Sequence, residues 1–153
     1  MTVEPPVVQL VDVDSSNWRS VAAVEPRADQ ERFVAPITHY LCLAHYGDDW
    51  HPLAIETDGT IVGHGMWGYD AEEGSTWLGG LVIDAAHQGR GIGRAAVLAF
   101  LDRFADNGVV DAGLSYDPEN VVARGLYLDI GFEEAGEEQD GELVARYRGE
   151  PPR

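Results

Sequence analysis

The chain has 153 residues, 44% of them hydrophobic, with 27 acidic against 10 basic side chains and a formal net charge of −17. No Pro/Gly/Ser-rich linker interrupts it, so one domain over residues 1–153 is expected, burying roughly 70% of its unfolded-chain surface. The negative field opposes a phosphate backbone or an anionic membrane, which removes nucleic acid and membrane from the expected partners, and it favours cations.

The segment Met1 to Pro6 has neither the basic start nor the apolar run of a signal peptide. No apolar stretch approaches the roughly 18 residues of a membrane span, so a cytoplasmic location is expected. Cys42 is the single cysteine, which excludes an internal disulfide and a Cys-x-x-Cys pair. It reads as a small buried apolar residue.

In chain order, Val7 to Val13 reads as a strand, and Ser15 or Ser16 caps a helix running through Trp18 toward Val24. Asp29 to His45 has helical character interrupted by Pro36. Leu53–Thr57 and Ile61–Tyr69 are β-rich runs joined by the hairpin signal Asp58-Gly59, and a strand from Trp77 to Ile83 follows.

The pattern then changes to a long buried helix from Gly91 to Asp106, with Ile92, Ala96, Ala99 and Phe100 on one face and Val97, Leu101 and Phe104 on another. Ala112–Tyr116 makes a further strand. Asp117 as N-cap and Pro118 at the first helical position open a last helix that ends at Gly131. Strands near Phe132–Gly136 and Leu143–Tyr147 close the chain, and residues 148–153 form a polar tail expected to fray.

The most informative stretch runs from Leu81-Val82-Ile83 through Asp84-Ala85-Ala86-His87 to Gln88-Gly89-Arg90-Gly91-Ile92-Gly93-Arg94, a strand passing through a glycine loop into a helix. Free amides at the helix start, the helix dipole and the missing glycine side chains together favour an anion there, and Arg90 and Arg94 add charge. The spacing is neither Gly-x-Gly-x-x-Gly nor a Walker loop ending in Gly-Lys-Ser/Thr.

With Gln88, Gly91 and Gly93, the stretch instead resembles the GNAT superfamily of N-acetyltransferases, whose signature is Gln/Arg-x-x-Gly-x-Gly/Ala after the fourth strand. The resemblance implies an α/β (α+β) domain with a mixed, largely antiparallel sheet of about six to seven strands and helices on both faces. It also implies acetyl-coenzyme A as cosubstrate, its pyrophosphate on the loop amides and its pantetheine arm on the backbone of Leu81, Val82 and Ile83. A homodimer is compatible with it.

On the last helix, Asn120, Ala123 and Tyr127 share one stripe, with Asn120 and Tyr127 roughly 10 Å apart along the axis. The family's pattern implies Asn120 against the coenzyme arm and Tyr127 near the thioester sulfur. Tyrosine suits the role of general acid toward a departing thiolate, being protonated at neutral pH. An alkylammonium acceptor must also lose a proton, and Glu56, His64, Asp70 and Asp84 are candidates to assist, Glu56 foremost. The five histidines show no metal-ligand spacing, and no metal is expected.

Further segments resemble the polyamine and diamine branch: Gln30 to Ala35, Trp50 to Ile55, Tyr116 to Asn120 and Asp140 to Ala145. A small polycationic amine needs carboxylates and an aromatic wall, which Glu31, Asp48, Asp49 and Trp50 can supply. That branch carries a bulky residue and an arginine on the fourth strand where this chain has Leu78-Gly79-Gly80, a change expected to widen or relocate the acceptor pocket. The other readings are an acetyltransferase for a protein N-terminus, a lysine, an amine metabolite or an antibiotic, a non-catalytic acyl-coenzyme A sensor, and a protein-interaction domain whose glycines are structural.

Overall fold

A computed structural model describes residues 4–149, so residues 150–153 of the expected tail lie outside the described residues. One seven-stranded sheet organises the chain, in the order β1-β2-β3-β4-β5-β7-β6. The strands are β1 (Gln9–Asp12), β2 (Trp50–Thr57), β3 (Thr60–Asp70), β4 (Ser75–Ile83), β5 (Asp111–Tyr116), β6 (Glu133–Gln139) and β7 (Glu142–Arg148). The helices are α1 (Trp18–Ala22), α2 (Ile37–Tyr46), α3 (Ile92–Asp106) and α4 (Val121–Ile130), with 3₁₀ turns at Ala28–Phe33 and Ala85–His87. None is long and apolar enough to cross a membrane.

Every strand pairing is antiparallel except β4 with β5, which are parallel and meet only at Trp77 opposite Gly113. Beyond that point the two strands part, leaving a slot through the middle of the sheet. The slot begins where β4 bulges. Between His64 and Met66 the register against β3 slips, and Gly80 takes φ 56°. A side chain there would be strained by the backbone and would meet His64 and Met66.

Two layers of helix cover the sheet. Phe100, Phe104, Leu101 and Val97 of α3 and Tyr127 of α4 pack with Leu53, Leu78, Leu114, Tyr116 and Ala145 on one face. Val21 of α1 and Ile37 of α2 pack with Ala54 and Val82 on the other. Successive strand residues alternate between these cores, so side chains on opposite sides of the slot reach it from both faces.

Three local expectations are corrected. Helix α4 begins at Val121, not at Asp117-Pro118, because Asp117 to Asn120 close a turn first. The Asn120 N–H donates to the Asp117 carbonyl at 2.9 Å with Pro118 inside the turn, and Asn120 is the N-cap. Helix α1 has Asn17, not Ser15 or Ser16, at its N-cap position, and no side chain among the described residues caps it. The Asp14 carboxylate takes the Ser16 N–H and Oγ–H and so holds the serines in a turn. Cys42 is exposed rather than buried, since it lies about 140° around α2 from the buried Ile37.

Strand β2 reaches back to Trp50 through Pro52, three residues earlier than the β-rich run suggested. Pro52 is tolerated because β1 ends at the partner of Leu53 and leaves that side of β2 unpaired. Pro36 does break the following segment, ending the extended Val34–Ala35 stretch and capping α2. Arg148 is the last residue of β7 rather than part of a tail.

Candidate active site

Two grooves open on the slot. The first, about 310 Å³, lies between the end of β4, the glycine loop and α4, and is lined by Leu81, Val82, Ile83, His87, Gln88, Gly89, Gly91, Ile92, Gly93 and Arg94 with Asn120, Ala123, Leu126 and Tyr127 opposite. Its floor is backbone. The first bond of α3 runs from the Ala95 N–H to the Gly91 carbonyl. Among the described residues, the amides of Gly89 to Arg94 have no backbone or side-chain acceptor. Five of these six donors belong to residues that line the groove, and unengaged amides at a helix N-terminus suit an anion. Gly91 makes this geometry available by taking φ 80° as the N-cap, a conformation a β-branched residue resists.

The loop is held from behind. The Gln88 Nε2–H donates to the Ile83 carbonyl at 2.8 Å and to Gln30 Oε1 at 2.7 Å, while Gln30 Nε2–H returns a bond to Gln88 Oε1 at 3.0 Å. Gln88 thus ties the loop to the 3₁₀ turn before α2. Arg94 lines the groove with its guanidinium on Asp129 of α4, bracing α3 against α4, whereas Arg90 is exposed and outside the lining.

The second groove, about 730 Å³, extends from the same slot toward the far end of β3 and β4. Among the described residues, five carboxylates line it, Asp49, Asp70, Glu72, Asp117 and Glu142, and no arginine does. Trp50, Tyr69, Trp77 and Tyr40 give it aromatic walls. Trp50 enters because Gly68 and Gly79 form a bed for its indole, which would lie 3.1 Å and 3.2 Å from a Cβ at those positions. Trp50 thus occupies the space beside Gly79, while Leu78, Gly79 and Gly80 still line the groove.

The grooves share Phe33, Val34, Leu81, Asn120, Ala123 and Tyr127. Asn120, Ala123 and Tyr127 all fall on this seam. The Asn120 Oδ1 accepts the Ala123 N–H at 3.3 Å, so its amide N–H₂ remains the free end. Tyr127 is 8% exposed, with its ring 5.7 Å from that of Tyr116. Burial, then Tyr116 and the Glu142 carboxylate, hold its hydroxyl well above the ordinary range, which keeps it a proton donor across neutral pH. Tyr116 is pushed up to about 12 by burial and by its bond to Glu134, and Arg124 neutralises that carboxylate.

The candidate bases are scattered. Glu56 sits at the end of β2 opposite Ile61 and lines neither groove. Asp84 caps the 3₁₀ turn, accepting the Glu25 and Ala86 N–H groups. Asp70 lines the far end of the second groove. His64 is fully buried. Its Nδ1–H donates to the Gly80 carbonyl at 2.7 Å, its ring stacks on Tyr40, and burial lowers its pKa to about 4. It pins the bulge as a neutral ring, with Nε2 buried and without a partner among the described residues.

Of the acceptor candidates, Asp49 and Trp50 line the second groove, while Glu31 and Asp48 do not. Gln30, His87 and Glu142 are not among the expected site residues, although each lies in a stretch the sequence singles out; the turn and strand pairing show that all three line the grooves.

The acetyltransferase (GNAT) family model matches residues 10–132. A spermine/spermidine N(1)-acetyltransferase of Bacillus subtilis is 31% identical over 108 residues, covering 65% of this chain and 69% of that protein. Among solved structures, spermidine N-acetyltransferase from Vibrio cholerae, in complex with coenzyme A and spermine, superposes with TM-score 0.70 at 18% identity over 91% of this chain and 92% of that one. The ribosomal-protein-S18-alanine N-acetyltransferase of Escherichia coli does so with TM-score 0.70 at 16% identity over 95% and 97%. With the glycine loop, the split between β4 and β5, and a tyrosine on their seam, the chain belongs to the GNAT family of acyl-coenzyme A dependent N-acetyltransferases.

Proposed function

We propose that the chain transfers the acetyl group of acetyl-coenzyme A to a primary amine of a polyamine or diamine, by direct attack while both are bound. The observation that carries this reading is the pairing of two chemically opposite grooves at Tyr127, one floored by free amides and the other lined, among the described residues, by five carboxylates and no arginine. The free amides of Gly89 to Arg94 suit a pyrophosphate, and the parted backbone of Leu81 to Ile83 suits an amide-bearing arm. Asn120 offers its free N–H₂ along the same path. Tyr127 holds the proton that a leaving thiolate takes.

The acceptor side is supported by charge and shape. From Ser75, opposite Asp70, to Leu81 at the seam is six residues of strand, roughly 20 Å. Carboxylates at both ends of that length, with Trp50 and Tyr69 along it, suit a flexible chain bearing several cations. The Bacillus subtilis relative's name points to the same acceptor class.

Free-thiol release from acetyl-coenzyme A, measured against spermidine, spermine, diamines, amino acids, aminoglycosides and N-terminal peptides, tests the reading. Turnover concentrated on polyamines and diamines is expected. Preference for a peptide or an aminoglycoside would overturn the acceptor, and coenzyme A binding with no turnover of any amine would favour the sensor reading.

A further inference from the structure

We propose that Glu142 seats the reacting ammonium beside Tyr127 and takes its first proton, an assignment that rests on the amine-transfer reading above but not on the amine being a polyamine. Glu142 opens β7 directly after the tight Asp140-Gly141 turn, whose residues take φ 49° and 84°. Pairing of β7 with β5, Leu143 opposite Tyr116 and Val144 opposite Ser115, carries it to the end of the slot where α4 begins. Leu143, Ala145 and Tyr147 pack toward α3 and α4. By alternation Glu142 therefore looks to the other face, into the acidic groove that it lines.

Its carboxylate is oriented and half free. The Ser115 Oγ–H donates to Oε1 at 3.0 Å, which leaves Oε2 for a ligand. Glu119, Asp129, Glu134 and Glu137 each have an arginine, but no ion pair among the described residues includes Glu142. Asp117, the nearest alternative along the chain, also keeps one oxygen free after accepting the Glu119 N–H, and what separates the two is that the charge of Glu142, not that of Asp117, bears on the Tyr127 hydroxyl. Asp49, Asp70 and Glu72 belong to the far end. Tyr127 of α4 and Tyr40 of α2 share the groove with Glu142, and its charge adds to burial in raising both hydroxyls.

In the step, the ammonium gives one proton to the Glu142 carboxylate, which releases it to solvent. The freed lone pair forms a C–N bond at the thioester carbonyl carbon, and the C–S bond then breaks. Sulfur takes the Tyr127 hydroxyl proton, and the remaining acidic proton on nitrogen restores Tyr127. One ammonium and one thioester yield one amide, one thiol and one proton.

The test is Glu142→Gln, which keeps an acceptor for Ser115 and removes the charge, compared with Glu142→Asp. Acetyl-coenzyme A affinity, read by calorimetry, should stay within about twofold, reporting an intact fold and cofactor groove. At pH 7, kcat/KM for the best amine of the panel should fall roughly 10²-fold in Glu142→Gln. The deficit should shrink toward pH 10, where the amine is neutral in solution, and Glu142→Asp should recover part of it. Unchanged kcat/KM, or a loss equally large at every pH, would overturn the assignment. Failure of the wild-type chain to acetylate any amine is a separate result, overturning the amine-transfer reading and this assignment with it.

Discussion

The two grooves that meet at Tyr127 are built in opposite ways. The groove proposed for the cofactor is mostly main chain, with amides from the Gly89 to Arg94 run, the parted end of β4 and glycines that stay out of the way. The groove proposed for the acceptor is mostly side chain, assembled from the start of β2, the β3–β4 turn, the end of β5 and the start of β7. A site made of consecutive backbone constrains a short run of sequence tightly. A site made of side chains from distant strands can change its ligand while the fold and cofactor groove stay the same.

The sharpest break of this division is at the seam. Tyr127→Phe should lower kcat by roughly 10²- to 10⁴-fold while leaving acetyl-coenzyme A affinity nearly unchanged, since it removes a proton and no packing. Steady-state kinetics with a parallel binding titration check this, and equal loss of both would reduce the tyrosine to a wall.

Next comes a change confined to the cofactor side. A Cβ at Gly93 meets Leu126 and Ile83 only at 3.7 Å and 3.8 Å, so Gly93→Val fits the fold and intrudes on the groove. Overpacking of about 1–3 kcal/mol should weaken acetyl-coenzyme A by roughly 5- to 150-fold, with the thermal midpoint little changed. Gly91→Val is a poorer probe, because φ 80° adds backbone strain to any steric effect.

The bulge that opens the slot can be tested through its histidine. His64 is neutral in the fold, with its pKa lowered from 6.5 to about 4, so the unfolded chain binds the extra proton on acidification. Stability from this group is therefore present above pH 6.5 and is lost as pH falls toward 4, about 2 kcal/mol of it by pH 5. Urea unfolding at pH 7 and pH 5 should show His64→Gln losing that much less than wild type. Equal losses would mean that the ring is solvated.

The smallest effect sharpens the acceptor side. Asp70→Asn with Glu72→Gln should raise KM for spermine about five- to tenfold, as two partly exposed charge contacts allow. The KM of a short diamine, too short to reach that end, should hold. Equal shifts for both amines would place the binding elsewhere.

The same division explains what could be read from the residues. Asp58-Gly59 was legible as a hairpin because both positions need positive φ, observed at 49° and 77°. The glycine loop and the Asn120–Ala123–Tyr127 stripe were legible because their spacing is local. The start of α4 was not, since Asp117-Pro118 serves a turn as well as it serves a cap, and only the Asn120 bond to Asp117 decides between them. Nor was the bed of Gly68 and Gly79 beneath Trp50, which depends on strand register. Glu56 and Glu142 look alike in a sequence. Both flank a tight turn, but pairing with β5 brings the second, and not the first, into the acidic groove that Tyr127 shares.

The most direct test of two grooves meeting at one tyrosine is a crossed titration of the wild-type chain with coenzyme A, which has no acetyl group to give, and spermine. Each ligand should bind with the other saturating, at an affinity close to that for the free chain. Mutual exclusion would contradict that arrangement, because both ligands would then be competing for one groove.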